Sequence, residues 1–306
     1  AFRVRRGGPV PNAPGRCSTR GDSISACDGY NPDGFRVDYT GERREETGVR
    51  LPADTWWAQV IERLDGQLLA NGSFSGSLVE GAGFPAGSSQ PRIDALASDG
   101  VQPDVVIVFM GINDYGWGGA AAQAAGRGNA LPVELDLDAI EPRTASIAAP
   151  DAVERFRDAY HLLTQRLRTA YPQAAVWCCT LCPGRVAGSS RPTFASNLRG
   201  APFAGYNDAI RDAARAHGCH PAAVAAFGFH SEALAGTPPT PRRMRQLASM
   251  IATAIEDGAS DPRRLPAALF DESLRSVELC PGASCIGCAH AKNTGNSWFL
   301  VCEKDA

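Results

Sequence analysis

The sequence lacks a long hydrophobic run. No stretch approaches the roughly 18–20 consecutive apolar residues that a membrane-spanning helix needs, so we predict no membrane span. The first residues, "AFRVRRGGPVPNAP", are partly basic but are not followed by the apolar segment of a signal peptide. We therefore expect a cytoplasmic protein, while the first residue, which is not Met, leaves export open.

The sequence also lacks an excess of either charge. Its 30 Lys and Arg residues nearly balance 33 Asp and Glu residues, which gives a net charge of −3. This composition argues against a broad basic surface for nucleic acid or anionic lipid, so we expect a small-molecule partner. With 306 residues, of which 44% are hydrophobic, the chain is long enough to bury a substantial core.

Cysteine is unevenly distributed. The stretch "WCCTLC" (177–182) belongs to a predicted buried strand, where cysteine packs as a small apolar residue. Four of the ten cysteines lie in the last 27 residues, where a Cys-x-x-Cys pair with further sulfur and imidazole donors is typical of a structural zinc site. Two disulfides, or reduced thiols without a shared role, are the alternatives, and the lack of an export signal favours zinc. The candidate ligands are four of Cys280, Cys285, Cys288, His290 and Cys302.

Strand and helix patterns alternate along most of the chain. "PDVVIVFMG" (103–111) is a continuous apolar run that predicts a central parallel strand, and "LLANGS" and "AAVWCCTL" predict two more. Amphipathic helices are predicted between and after them, the first with Asp54 as its N-cap. This alternation predicts a three-layer α/β/α sandwich with a parallel sheet. Long loops at 115–151 and 183–203 are expected near the carboxyl edge of the sheet, where such folds bind ligands.

Three short motifs occur in order along this pattern. "GDS" (21–23) is followed by "NGSFSG" (71–76) after one predicted strand and by "GIND" (111–114) after the next. Any one of them alone is a common polar turn. Their order is the informative feature, because the carboxyl ends of parallel strands meet at one edge of a sheet.

With these motifs, the chain resembles the SGNH (GDSL) hydrolase superfamily from about Gly21 to Asp257, and "GDSISACDGYNPDGF" with "DTWW" is similar to a bacterial branch of esterase-like proteins. The resemblance implies a flavodoxin-like sheet and hydrolysis of a small acyl ester or acylated carbohydrate without a catalytic cofactor. It implies that Ser23 is the nucleophile. The backbone N–H groups of Ser23 and Gly76 and the side-chain amide of Asn113 would stabilise the oxyanion.

The last catalytic block departs from the family pattern. Members carry Asp-x-x-His before the final helix, but alignment on 239–241 and Met244 places Ala235 and Pro238 at these two positions. Neither residue can orient an imidazole or accept a proton. His230, on the same connection, is the remaining candidate base. The strand before Ser23, "GRCSTR", is also unusually polar.

Three functional hypotheses therefore compete. The first is a serine ester hydrolase whose activity is impaired by the missing pair. The second is a non-catalytic ligand-binding protein that keeps the pocket, and a third hypothesis makes the Cys-rich segment a metal-clipped interaction module. Under each hypothesis we predict an N-terminal extension (1–15), an SGNH-hydrolase-like domain (16–258), and a linker with a Cys-rich tail (259–306).

Overall fold

The computed structural model describes residues 15–117, 151–182, 184–186, 197–198, 201–227, 231–233 and 239–257. The predicted Cys-rich tail and nearly all of the N-terminal extension lie outside these ranges, so the domain boundaries stay predictions. The described strands are β1 (Arg16–Gly21), β2 (Gln67–Asn71), β3 (Val105–Phe109), β4 (Ala175–Cys179), β5 (Gly184–Val186), β6 (Asn197–Leu198), β7 (Ala201–Pro202), β8 (His220–Ala222) and β9 (Ser231–Ala233).

The described α-helices follow the predicted amphipathic segments and add three short ones. They are α1 (Gly41–Thr47), α2 (Trp56–Arg63), α3 (Gln90–Asp94), α4 (Ile112–Trp117), α5 (Ala152–Ala170), α6 (Phe203–Ala216) and α7 (Pro241–Asp257). Short 3-10 turns lie at Pro52–Asp54 and Val224–Phe227. Within the described ranges, none of the helices has the length and apolar character needed to cross a membrane.

Five strands form a parallel sheet in the order β2-β1-β3-β4-β8. The predicted central strand β3 indeed lies in the middle, with Val106, Ile107 and Val108 fully buried. Helix α2 packs against α7, and α5 packs against α3 and α6, so two groups of helices cover the sheet. The predicted α/β/α sandwich with a flavodoxin-like parallel sheet is confirmed.

The register of the sheet sets where the three motifs emerge. Gly21, the last residue of β1, pairs with Phe109, the last residue of β3, and Asn71 at the end of β2 pairs with Thr19. The segments that follow these three strands therefore leave the sheet at nearly the same level. This places the "GDS", "NGSFSG" and "GIND" motifs together at the carboxyl edge.

One local prediction is corrected by the structure. The N-cap of α2 is Thr55, whose side chain accepts a hydrogen bond from the Ala58 N–H, and not Asp54. Asp54 instead closes the preceding 3-10 turn, because its Oδ2 accepts hydrogen bonds from the backbone N–H groups of Arg50 and Leu51. Asp and Thr both cap helices well. Because Pro52 starts a separate 3-10 turn that includes Asp54, the capping position of α2 falls to Thr55.

Candidate active site

The turn that carries Ser23 follows directly from β1. The backbone N–H groups of Ser25 and Ala26 both donate to the Asp22 carbonyl at 3.1 Å, and the Ile24 N–H donates to Asp22 Oδ1 at 3.1 Å. Position 21 has room only for glycine, because a Cβ there would lie 2.1 Å from Ser25 Oγ and 2.5 Å from Ser25 Cβ. The half-buried Ser23 is thus held at the tip of a tight, internally bonded turn.

The second motif lies against this turn. The Phe74 N–H donates to the Gly21 carbonyl at 3.1 Å, and the Asn71 side chain donates to the Ser25 carbonyl at 2.9 Å. Gly76 is exposed and has a φ of 77°, a backbone conformation that residues with a Cβ rarely adopt. Glycine at this position therefore lets the backbone N–H take an orientation that other residues would strain to reach.

The third motif is joined to the second by side-chain hydrogen bonds. Asn113 is buried in α4, and its Nδ2 donates to the Ser77 carbonyl at 3.0 Å. The neighbouring Asp114 carboxylate accepts hydrogen bonds from the backbone N–H groups of Val79 and Glu80 at 3.0–3.1 Å. These hydrogen bonds lower the pKa of Asp114, but the opposite effect of burial is larger and raises the pKa to about 7.

A buried arginine ties the first two motifs together. Arg92 in α3 donates from Nη2 to the Gly21 and Gly72 carbonyls at 2.7 and 2.8 Å, and from Nη1 to Ser77 Oγ at 2.7 Å. Its burial lowers its pKa to about 9, with the Asp22 charge opposing that shift. One guanidinium thus fixes the end of β1 relative to both ends of the "NGSFSG" loop. No sequence motif identified this residue, since "QPRID" has the composition of an ordinary surface helix.

A cavity opens beside the nucleophile turn, at the ends of β3 and β4 and the start of α7. Its volume is only about 10 Å³, which is room for roughly one water molecule. Burial raises the pKa of Asp22, one of its lining groups, to about 6. The lining is otherwise mainly apolar and consists of Ile24, Phe109, Met110, Ile112, Leu181, Cys182 and Arg243.

An aromatic rim lies next to Gly76. Phe35, Phe74 and Phe84 contact one another edge to face with centroid distances of 5.3–5.8 Å, and Phe84 is 48% exposed. The rim is fixed to the second motif because the Ser75 N–H donates to the Arg36 carbonyl at 2.7 Å. The Arg36 guanidinium is exposed, with Nη1 3.9 Å from the position a Cβ would take on Gly76.

Comparison with known proteins agrees with this geometry. A model of the GDSL-like lipase/acylhydrolase family matches residues 20–244, most of the chain. The chain belongs to this family. Proteins of the GDSL-like family hydrolyse ester bonds, and this enzyme class fits three polar motifs gathered at one sheet edge.

Two solved structures share the GDSL-like fold. A protein named as a GDSL-like lipase from Bacteroides ovatus matches with a TM-score of 0.51 and 19% identity over 79% of this chain and 98% of that chain. A second one, from Bacteroides uniformis, matches with a TM-score of 0.51 and 20% identity over 80% and 96% of the two chains. At these identities the likeness shows the fold alone. No curated protein sequence matches this chain.

The structure does not describe the residues that we predict at the proton-transfer positions of the site. His230, Ala235 and Pro238 lie outside the described residues, and so their assignments stay predictions. Within the described ranges, no histidine lines the cavity. His161 Nδ1 and His217 Nε2 instead lie 3.2 Å apart between α5 and α6, and His220 stacks on Trp177.

The predicted zinc ligands, Cys280 to Cys302, also lie outside the described residues. In the part of the chain that the structure describes, no three His, Cys, Asp or Glu side chains are grouped to hold a metal. The described cysteines are buried and none of them forms a disulfide within the described ranges, which agrees with the core packing predicted for the "WCCTLC" strand. Zinc in the tail therefore stays a prediction from spacing.

Proposed function

We propose that this GDSL-like protein hydrolyses small acyl esters with Ser23 as its nucleophile, at a low rate because its proton-transfer pair is missing. The observation that carries the proposal is the set of hydrogen bonds joining the three motifs: Phe74 N–H to the Gly21 carbonyl, and Asn113 Nδ2 to the Ser77 carbonyl. They support a preorganised site, in which donors need not rearrange as charge develops.

In the proposed mechanism, Ser23 Oγ attacks the ester carbonyl carbon and the carbonyl electron pair moves onto its oxygen. We assign the backbone N–H groups of Ser23 and Gly76 and the Asn113 amide to this oxyanion, where one such donor is worth roughly 3–4 kcal/mol. Collapse of the intermediate expels the alcohol, which takes up a proton, and leaves an acyl-Ser23 ester. Water then attacks this ester and releases the acid.

The surroundings suggest how a substrate is placed. The apolar side chains of Ile24, Phe109 and Ile112 lie beside the nucleophile turn, where they would contact a short acyl chain. The aromatic rim with Arg36 fits the alcohol portion, for which we favour a carbohydrate, because a sugar ring has both C–H faces and hydroxyl groups. Acylated carbohydrates are thus the substrates that we would test after simple esters.

The residues at 235 and 238 limit the rate. Losing the histidine of a serine triad lowers the rate by about as much as losing the whole triad, on the order of 10⁶. Ser23 would then give its proton to solvent, and the oxyanion donors would supply the remaining catalysis. Ala235 and Pro238 also favour the second candidate function, a non-catalytic ligand-binding protein.

Restoring the missing pair tests the proposal. We expect Ala235→Asp combined with Pro238→His to raise hydrolysis of 4-nitrophenyl acetate by at least about 10²-fold, the lower range for a positioned general base. Initial rates of purified variants measure this. Ala235→Asp alone is the matched control and should give no gain, and Ser23→Ala in the restored background should abolish the gain because the acyl-enzyme needs the hydroxyl.

Two results would contradict the proposal. If the restored variant gains nothing while its fold is intact, the site does not support acyl transfer. If the unmodified chain already shows ordinary enzyme rates that Ser23→Ala removes and His230→Ala does not, the alignment of the last block is wrong and another residue is the base.

A further inference from the structure

Two histidine side chains meet on the surface between α5 and α6. His161 Nδ1 and His217 Nε2 lie 3.2 Å apart, and the two ring planes form an angle of 75°. Both side chains are half-buried, so solvent reaches the pair. Neither residue lines the cavity beside Ser23, and the proposed ester hydrolysis therefore gives this pair no role.

The backbone under each imidazole is held in regular structure. His161 lies in the middle of α5, and His217 is the C-cap residue of α6, where its N–H donates to the Ala213 carbonyl at 3.2 Å. One turn earlier on α5, Arg157 donates to Asp212 Oδ2 of α6 at 2.8 Å, so a second polar contact joins the same two helices. Two packed helices thus set the spacing of the imidazoles. A ligand that needs this spacing finds the site preorganised.

The spacing of the two nitrogens matches that of two ligands on one zinc ion. With Zn–N bonds of about 2.0–2.1 Å and a tetrahedral angle, two coordinating nitrogens lie about 3.3–3.4 Å apart, close to the 3.2 Å between the histidine nitrogens. A square-planar ion with bonds of about the same length would bring neighbouring nitrogens to about 2.9 Å. Imidazole is also a ligand type that suits zinc. Small rotations of the rings would point both facing lone pairs at one ion.

The electrostatic surroundings of the pair can accept a cation. Burial, together with the charge of His161, lowers the pKa of His217, which favours the neutral imidazole that binds metals. The charge of Arg157 is balanced by Asp212 and by Glu154 on its own helix. The C-terminal end of a helix carries partial negative charge, and His217 lies directly at that end of α6.

We propose that His161 and His217 bind one zinc ion that bridges α5 and α6. The hydrogen bond between the rings implies that one facing nitrogen carries a proton. On metal binding this proton moves to the other nitrogen of the same ring by exchange with water, and both facing lone pairs then coordinate the ion. Water completes the coordination, because the described part of the chain groups no three His, Cys, Asp or Glu side chains for a metal. The site is separate from the zinc predicted in the tail and goes beyond the proposed ester hydrolysis, whose mechanism uses no metal.

Calorimetric titration of the full chain with zinc chloride tests this site. Two ligands provide about half the binding free energy of a four-ligand zinc site, so we expect a dissociation constant of roughly 1–200 µM at about pH 7.5. His161→Gln and His217→Gln should each weaken this binding at least about tenfold, because a single imidazole cannot chelate the ion. His220→Gln is the matched control: this histidine is also half-buried, but it stacks on Trp177, and its replacement should change the affinity less than about twofold. Any zinc that the tail binds is the same in all four proteins.

A stability measurement separates a bridging ion from zinc bound elsewhere on the surface. A saturating zinc concentration should raise the melting temperature of the unsubstituted chain by at least about 3 °C more than that of His161→Gln, because an ion held by two helices binds only the folded chain. The metal-free variants should keep the circular dichroism spectrum of the parent, and if one glutamine variant does not fold, the other decides.

Three results would each overturn the proposal. The first is that the binding curves of the parent and of both glutamine variants coincide, and the second is that His220→Gln weakens zinc binding as much as His161→Gln does. The third is that zinc binds with the expected affinity but stabilises the parent no more than the variants. No arm measures hydrolysis, so a failure here is distinct from a failure of the restored-pair experiment.

Discussion

At the scale of single residues, the candidate site depends on side chains that do no chemistry. Arg92 gives hydrogen bonds to the carbonyls of Gly21 and Gly72 and to Ser77 Oγ, and Arg20 donates to the carbonyls of Arg92 and Gly87. These acceptors come from segments that are far apart in the chain. Two adjacent buried guanidinium groups thus satisfy backbone carbonyls that the loops around the site would otherwise leave unpaired.

Replacing Arg92 with lysine should separate this role from charge alone. A lysine keeps the charge but cannot reach several carbonyls in fixed directions, so we expect a loss of about 2–4 kcal/mol in the free energy of unfolding. Urea denaturation measures the loss. In the background with the restored Asp and His, hydrolysis should also fall by at least about tenfold, because the donors lose their alignment.

Arg168→Lys is the matched control for Arg92→Lys. Arg168 also donates to two backbone carbonyls, those of Pro172 and Ala174, but it is only half-buried and lies at the end of α5 away from the site. We expect its replacement to change stability by less than about 1 kcal/mol and to leave hydrolysis unchanged. Equal effects of the two substitutions would show that Arg92 has no positioning role.

At the scale of elements, a buried strand can be predicted from the sequence when its own residues are apolar. β3 could be predicted because its apolar run needs no distant partner. β1 appeared too polar for a buried strand, yet it pairs with β2 and β3 on either side. Two of its buried polar side chains are partnered across the fold: Ser18 Oγ donates to the Leu96 carbonyl at 2.7 Å, and Arg20 donates to the carbonyls of Gly87 and Arg92. Such long-range partners are invisible in a local pattern.

The same reason divides the site into predictable and unpredictable parts. Ser23, Gly76 and Asn113 follow strands in recognisable motifs, so their common edge could be inferred from strand order. Arg92 carries no motif, and whether an arginine is buried depends on hydrogen-bond acceptors provided by distant segments. The sequence therefore predicted the residues of the proposed chemistry, and the structure was needed to find the arginine that connects the motifs.

The end of β1 offers a test of this packing. Gly21→Ala should destabilise the fold by about 1–3 kcal/mol, because the added Cβ would lie too close to both Ser25 Oγ and Ser25 Cβ for a rotation to relieve it. Gly15→Ala, just before the same strand, has no atom within 4 Å of the added Cβ and should be neutral or slightly stabilising. Thermal and urea denaturation of both variants provide the comparison. A neutral Gly21→Ala variant would contradict the tight turn described for Ser23.

At the scale of the whole molecule, the buried carboxyl groups should make stability depend on pH. Asp22 and Asp114 have pKa values raised to about 6 and about 7 by burial. The folded chain then holds their protons more tightly than the unfolded chain does. Their contribution to stability is fully present below about pH 4 and is lost as the pH rises to about 7. The pKa values of Asp104 and Asp151 are lowered by Arg16 and Arg155, so these two residues change the stability only below about pH 4.

Asp114→Asn should flatten this dependence. The wild-type free energy of unfolding should fall by on the order of 6 kcal/mol between about pH 4 and pH 7, and the variant should lose about half of that slope or more because its amide cannot ionise. The smaller remaining slope belongs mainly to Asp22, together with Asp38, whose pKa burial also raises. Urea denaturation at several pH values gives both curves, and Asp151→Asn, at an exposed residue, should follow the wild type. If the wild type instead gains stability as the pH rises through this range, Asp114 is ionised in the folded chain at a low pH. The Val79 and Glu80 N–H groups would then outweigh its burial.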